Sequence, residues 1–267
     1  MLFDTHAHYD DDQFDPDREA LLASLPEHGV GLVVNPGCTV ASSRTAVELA
    51  HRFPHIYAAV GIHPENCGDF RPEHLTEIRA LAQEDKVVAI GEIGLDYYWP
   101  ENPPRDLQQQ VLRQQLALAQ ELQLPVIIHD RDAHADTMAI VREFPGLRGV
   151  FHCFAGSVEM ARELVDMGWY LSFNGAATFK NARKAPEVIH AVPMDRLMIE
   201  TDAPYLTPAP YRGRRNDSTY VHLVAEKIAQ LRDMTPQEVE QATWENGLYK
   251  LNADGSAEQL ISGTLSN

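Results

Sequence analysis

The sequence predicts a single-domain (β/α)8 barrel. Short apolar, β-branched-rich runs recur from one end to the other, and each is followed by a stretch with helical spacing. Eight such units fit within about 250 residues, the length this fold needs.

Taken in order, the predicted strands are 2–8, 31–35, 56–62, 87–95, 126–130, 149–154, 169–174 and 197–201. Helical spacing follows near 16–28, 42–52, 72–84, 106–123, 133–144, 157–167 and 183–191, then over 217–232 and 236–250. In the fourth helix Leu107, Val111, Leu112, Leu116, Leu118, Ala119 and Leu122 fall largely on one face, with Gln and Arg assigned to the other. Pro125 stops that helix and starts the next strand. Gly29, Gly146 and Gly168 suit the position just past a helix end. Val126-Ile127-Ile128 is apolar on both faces, as a parallel strand covered by helices requires. A doubly wound open sheet is the competing architecture, but it usually carries fewer strands and a Gly-rich phosphate loop, which this sequence lacks. The barrel is expected to occupy 1–252, and 253–267 reads as a mobile C-terminal tail.

Composition narrows the function classes. The 267 residues are 44% hydrophobic, enough for a large core, and 39 Asp and Glu against 22 Lys and Arg give a formal net charge of -17. That balance opposes general attraction to nucleic acid or an anionic membrane, so an anionic substrate needs a local positive site. The three cysteines, Cys38, Cys67 and Cys153, are widely spaced and suggest neither a disulfide framework nor a structural zinc knuckle. With no signal-like N-terminus and no apolar run of membrane-spanning length, a cytoplasmic protein without an obligate partner is expected.

Metal-capable side chains gather at the ends of the predicted strands. His6 and His8 close the first, His63 follows the third, Glu92 lies late in the fourth, and His129 ends the fifth. His152 lies late in the sixth and Asp202 follows the eighth. Barrel active sites form at the C-terminal strand ends, so these positions converge on one mouth. His6 and His8, at i and i+2, share one face of an extended segment and suit one metal, which Asp202 from the neighbouring last strand completes. Glu92 is long enough to bridge two cations, and His129 with His152 suits the second. Imidazoles and carboxylates together suit two divalent ions, Zn²⁺, Mn²⁺ or Mg²⁺.

These segments resemble the TatD family of metal-dependent deoxyribonucleases, within the amidohydrolase-like barrel superfamily. The resemblance rests on Asp4-Thr5-His6-Ala7-His8, Gly61-Ile62-His63-Pro64, Gly91-Glu92-Ile93-Gly94-Leu95-Asp96-Tyr97-Tyr98, Pro125-Val126-Ile127-Ile128-His129, His152-Cys153-Phe154 and Glu200-Thr201-Asp202-Ala203-Pro204-Tyr205-Leu206. Residues 210–216 are also similar, and the likeness spans roughly 2–250. It departs at Ala7, where the family often has Cys or Gly, and at Asp217-Ser218-Thr219, where relatives often continue with an acidic residue and Pro. The resemblance implies cleavage of DNA phosphodiesters, directed at single strands or 3′ ends. It also implies His6, His8, Glu92 and Asp202 around one metal, Glu92, His129 and His152 around the other, and His63 beside the scissile phosphate. Asp202 and Glu92 are the expected catalytic carboxylates.

Around these, Glu200 is expected to orient a ligand from behind and Asp96 to do the same or to bind substrate, although a purely structural role fits each equally. Arg131 and the Arg212, Arg214, Arg215 group supply local positive charge for phosphates, or a solvated charge run. Tyr97, Tyr98 and Trp99 offer base stacking, with at least one expected to be packed instead. A hydrolase of small amides, esters or phosphoesters is the alternative on the same barrel, because fold does not settle substrate.

Overall fold

Every strand expected from the apolar runs is present in the computed structural model, which describes residues 1–251; the expected tail at 253–267 lies outside the described residues. Strand β1 (Leu2–Asp4) leads to α1 (Arg18–Ser24), β2 (Val30–Pro36), α2 (Val40–Arg52), β3 (Ile56–Val60) and α3 (Pro72–Leu81). Then come β4 (Val87–Asp96), α4 (Arg105–Leu122), β5 (Val126–Arg131), α5 (His134–Val141), β6 (Gly149–Phe151) and α6 (Val158–Asp166). The chain continues through β7 (Tyr170–Phe173), α7 (Lys184–Ala191), β8 (Leu197–Ile199), α8 (Val221–Arg232) and α9 (Pro236–Leu251). The strands run in chain order in one eight-stranded sheet, and the fold is a (β/α)8 barrel. Its contacts group into two compact units, Met1–Asn35 with Phe151–Gly247, and one built chiefly of Pro36–Val150.

In the first unit β1 pairs in parallel with β2, Phe3 opposite Leu32 and Asp4 opposite Val33. Regular strand stops at Asp4 and Ile199, earlier than the alternation suggests, because polar side chains take over the backbone partners. Thr201 N donates to Asp4 Oδ1 at 2.9 Å and Thr5 Oγ1 to Ile199 O at 3.0 Å. The two segments stay joined beyond that point: Asp202 N donates to His6 O at 2.9 Å, and His8 N to Ala203 O at 2.7 Å. Likewise β6 ends at Phe151, since Cys153 adopts a left-handed φ of 45° and its N–H donates to Glu200 Oε1 at 2.8 Å. Phe151 packs edge-on against Trp169 with ring centroids 5.2 Å apart, in a core that also buries Tyr170 and Phe173.

In the second unit all ten residues of β4 are buried. A Cβ on Gly94, whose φ is +155°, would sit 1.9 Å from His129 O, so only glycine allows β4 and β5 this approach. Helix α4 buries Val111, Leu112, Leu116, Leu118 and Ala119 as expected, but Gln108 and Gln115 lie on the same buried face rather than in solvent. Each side-chain amide acts as a substitute strand. Gln115 accepts from Ile62 N at 2.8 Å and donates to Ile62 O at 2.9 Å. Gln108 accepts from Asp96 N at 2.9 Å and donates to Asp96 O at 3.0 Å. These bonds fix the chain where β3 and β4 end, next to His63 and Asp96. The helix closes on Gln123 in a left-handed conformation (φ 57°), two residues before Pro125.

Candidate metal centre

The first unit brings His6, His8, His152 and Asp202 together. His6 Nε2 and His8 Nε2 lie 3.0 Å apart, and Asp202 Oδ1 lies 3.8 and 3.7 Å from them. The His152 ring stacks on His6 with centroids 3.9 Å apart and planes 9° from parallel. Ligand atoms of His6, His152 and Asp202 all fall within 4.8 Å of one another, a spacing one cation can span. Asp202 reaches this position through a left-handed φ of 57°, so it does not continue the extended strand. Glu200 turns instead to support the site. Its Oε1 accepts from Cys153 N and Asn174 Nδ2 (3.0 Å) and lies 3.5 Å from His152 Nδ1. Burial alone pushes the Glu200 carboxyl up, but the hydrogen bond and charge of His152 outweigh it and hold Glu200 below the usual carboxylate range.

The second unit brings together His63, Glu92 and His129, whose ligand atoms again lie within 4.8 Å of one another. His129 Nδ1 is 2.9 Å from Glu92 Oε1, and His63 Nε2 is 3.3 Å from the same oxygen. His63 caps the turn that follows it: its Nδ1 accepts from Glu65 N at 3.3 Å, which leaves the ring proton on Nε2. Asp96 Oδ2 lies 3.0 Å from His129 Nε2, while Oδ1 accepts from Tyr98 N at 2.9 Å and Asn102 Nδ2 at 3.0 Å. The two clusters are largely buried sets of nitrogen and oxygen donors, with His129 and Asp202 partly open to solvent, chemistry that fits borderline divalent cations.

The expected substrate-side groups divide. Arg131 is exposed, its guanidinium 4.1 Å from the Tyr98 ring centroid and 5.4 Å from that of Trp99. Tyr97 is the packed aromatic, its hydroxyl bonded to Asp136 at 2.9 Å under the Arg105 guanidinium. Arg212 is exposed over Phe179 at 4.2 Å. Arg215 is instead structural, holding Asp17 through two 2.7 Å contacts.

Residues 3–249 match the family model described as TatD related DNase. The chain belongs to the TatD family. Among relatives of this TatD-family chain is a metal-dependent hydrolase of Bacillus subtilis, YabD, 46% identical over 94% of this chain and all of that protein. A 3′-5′ ssDNA/RNA exonuclease TatD of Cronobacter sakazakii is 35% identical over 94% of this chain and 99% of its own length. The crystal structure of YjjV, a TatD homologue from Escherichia coli, matches 92% of this chain and 95% of its own with a TM-score of 0.86 and 32% identity. The TatD-family chain is accordingly a metal-dependent hydrolase acting on ester bonds.

Several supports of the TatD site escape a reading by ligand type. Asp4 is buried beneath His6 and accepts from Ser218 Oγ and Thr201 Oγ1, both at 2.6 Å, besides Thr201 N and His6 N. Burial pushes its carboxyl up to about 7 against those four donors. Tyr9 extends the chain by donating to Ser218 Oγ at 2.8 Å. Glu65 is exposed, yet partial desolvation, reinforced by the charges of Asp96 and Glu92, raises its pKa. Asp4 stands at i−2 from His6, which is the one sequence signal that pointed to it. Asn174 and Ser218 carry no such signal, because their partners are remote in the chain.

Proposed function

We propose that this hydrolase cleaves phosphodiester bonds of single-stranded DNA from the 3′ end with two divalent ions, Zn²⁺, Mn²⁺ or Mg²⁺. The observation that carries the reading is the pair of compact donor sets, one containing His6 with Asp202 and the other Glu92 with His129. The exonuclease name of a relative covered almost end to end supports the substrate class.

In this reading His6, His8 and Asp202 hold one ion, Glu92 and His129 hold a second, and His152 is a further ligand. Bound there, divalent ions supply Lewis acidity, which lowers the pKa of water and neutralises charge on a phosphoryl oxygen. Asp202, whose side chain is 15% exposed, takes the proton of the attacking water on a carboxylate oxygen. The water oxygen bonds to phosphorus as one P–O ester bond breaks, and the leaving oxygen takes up a proton from solvent and ends as a hydroxyl. His63 donates from Nε2 to a non-bridging phosphoryl oxygen, since its Nδ1 is occupied by Glu65 N. Arg131 and Arg212 bind phosphates further along the strand. Asp96 and Glu200 orient His129 and His152.

The test is a 5′-labelled single-stranded oligonucleotide incubated with the protein and each of the three metals in turn. Stepwise shortening from the 3′ end, lost in His129→Ala, is the expected result. No shortening with any metal, alongside turnover of a small ester or amide, would transfer the reading to a small-molecule hydrolase.

A further inference from the structure

Two neighbouring loops of the first unit concentrate positive charge on a chain of net charge -17. Residues 174–187, which run into the first turn of α7, and 203–217 hold Lys180, Arg183, Lys184, Arg212, Arg214 and Arg215, six of the 22 Lys and Arg, against only Glu187 and Asp217. Arg215 is neutralised by Asp17. The other five are exposed, and none of them meets a carboxylate among the described residues. Lys184 Nζ reaches only a carbonyl, Ala155 O at 3.4 Å.

The loops are held as one surface. Ala209 N donates to Thr178 Oγ1 at 2.8 Å. A Cβ on Gly175 would stand 1.9 Å from Leu206 O, so the two backbones touch. Arg212 lies on the Phe179 ring and Arg214 on Tyr211, with guanidinium carbons 4.2 and 5.4 Å from the ring centroids. A guanidinium held over a ring by its charge keeps N–H donors that suit a phosphate. Both loops leave the sheet beside the candidate centre. Asn174, bonded to Glu200, opens one, and Asp202 opens the other.

We propose that these loops form a track for the sugar-phosphate backbone of a single strand, with Arg183, Arg212 and Arg214 as its main phosphate contacts. The inference rests on the nuclease reading above and adds where the strand lies and which residues decide its length dependence. Arg44, Arg79 and Arg113 elsewhere pair with Glu77, Glu121 and Glu143, whereas these two segments group six cations with only two carboxylates. Five exposed cations grouped together create a local positive potential that draws in a polyanion. A short track interleaved with rings favours a flexible strand over a duplex.

The experiment measures binding rather than turnover. Fluorescence anisotropy of an oligonucleotide of about 20 nucleotides is followed in metal-free buffer across ~50–200 mM salt, where each phosphate contact to a single strand contributes a slope of about −0.7. The triple variant R183Q/R212Q/R214Q is expected to bind at least ~10-fold more weakly at low salt, with a slope shallower by about 2. The control R44Q/R79Q/R113Q removes the same charge elsewhere and is expected to bind like wild type. An unchanged slope in the first triple, an equal loss in the control, no binding by wild type, or equally tight binding of poly-glutamate overturns the track. Cleavage fails separately: a protein that binds with this slope but cuts no strand keeps the track and loses the nuclease reading.

Discussion

Asp96 Oδ2 lies 3.0 Å from His129 Nε2, and the other oxygen of the same carboxylate holds the backbone of Tyr98. One buried residue thus fixes the orientation of a candidate ligand and the start of the aromatic turn together. Desolvation works to raise its pKa, but the hydrogen bond and charge of His129 prevail and keep it below the ordinary range. Asp96→Asn preserves an acceptor for Tyr98 N and removes the negative charge behind the imidazole. Metal affinity is expected to fall about 10–100-fold with near-normal folding. Titration with Zn²⁺ by calorimetry reads this directly, and unchanged affinity would sink the role given to Asp96.

Metal content separates the two donor sets. His6 belongs to the group with Asp202, and His129 to the group with Glu92. Each single change to Ala is expected to lower bound metal by about one equivalent per chain while the other ion remains, given the two-ion reading. Elemental analysis after dialysis gives the counts. Loss of both ions in each variant would show one coupled site, and loss of neither would remove the donor assignment.

The buried amide of Gln115 makes two hydrogen bonds to Ile62, directly before His63. Gln115→Leu keeps the volume but strands the Ile62 N–H and C=O, each at about 1–3 kcal/mol when left unsatisfied. A loss of roughly 2–5 kcal/mol is expected in urea unfolding. Stability equal to wild type would mean the strand end finds other partners.

That pair also marks where the sequence stops being legible. Hydrophobic period placed all eight strands within a few residues, because a covered parallel strand such as Val126–Arg131 begins as a continuous apolar run. The candidate ligand positions stood out for the same reason: imidazoles and carboxylates at strand ends contrast with apolar neighbours. Period could not place Gln108 and Gln115 inside, since a glutamine is buried only when a distant backbone offers both a donor and an acceptor. It also missed the early ends of β1, β6 and β8. There Asp4, Thr5 and Glu200 capture backbone groups from elsewhere in the chain, and no local spacing reports that.

Lys86 gives a pH signature remote from the metal ligands. Its ammonium lies 3.9 Å above the Tyr57 ring and donates to Pro54 O at 2.8 Å. Burial lowers its pKa to about 8, with the charge of Asp85 acting in the opposite direction. The unfolded chain holds this proton up to about 10.4, so between about pH 8 and 10.4 it binds more protons than the folded protein does. The charged folded form therefore carries a penalty below pH 8, and stability gained from this group rises as pH climbs through that window. Lys86→Met has no such proton to lose. Relative to that variant, wild type is expected to gain in thermal midpoint between pH 7.5 and pH 10, whatever the offset at the starting pH. A difference that stays constant across the range would mean that the ring and the carbonyl hold the ammonium charged despite its burial.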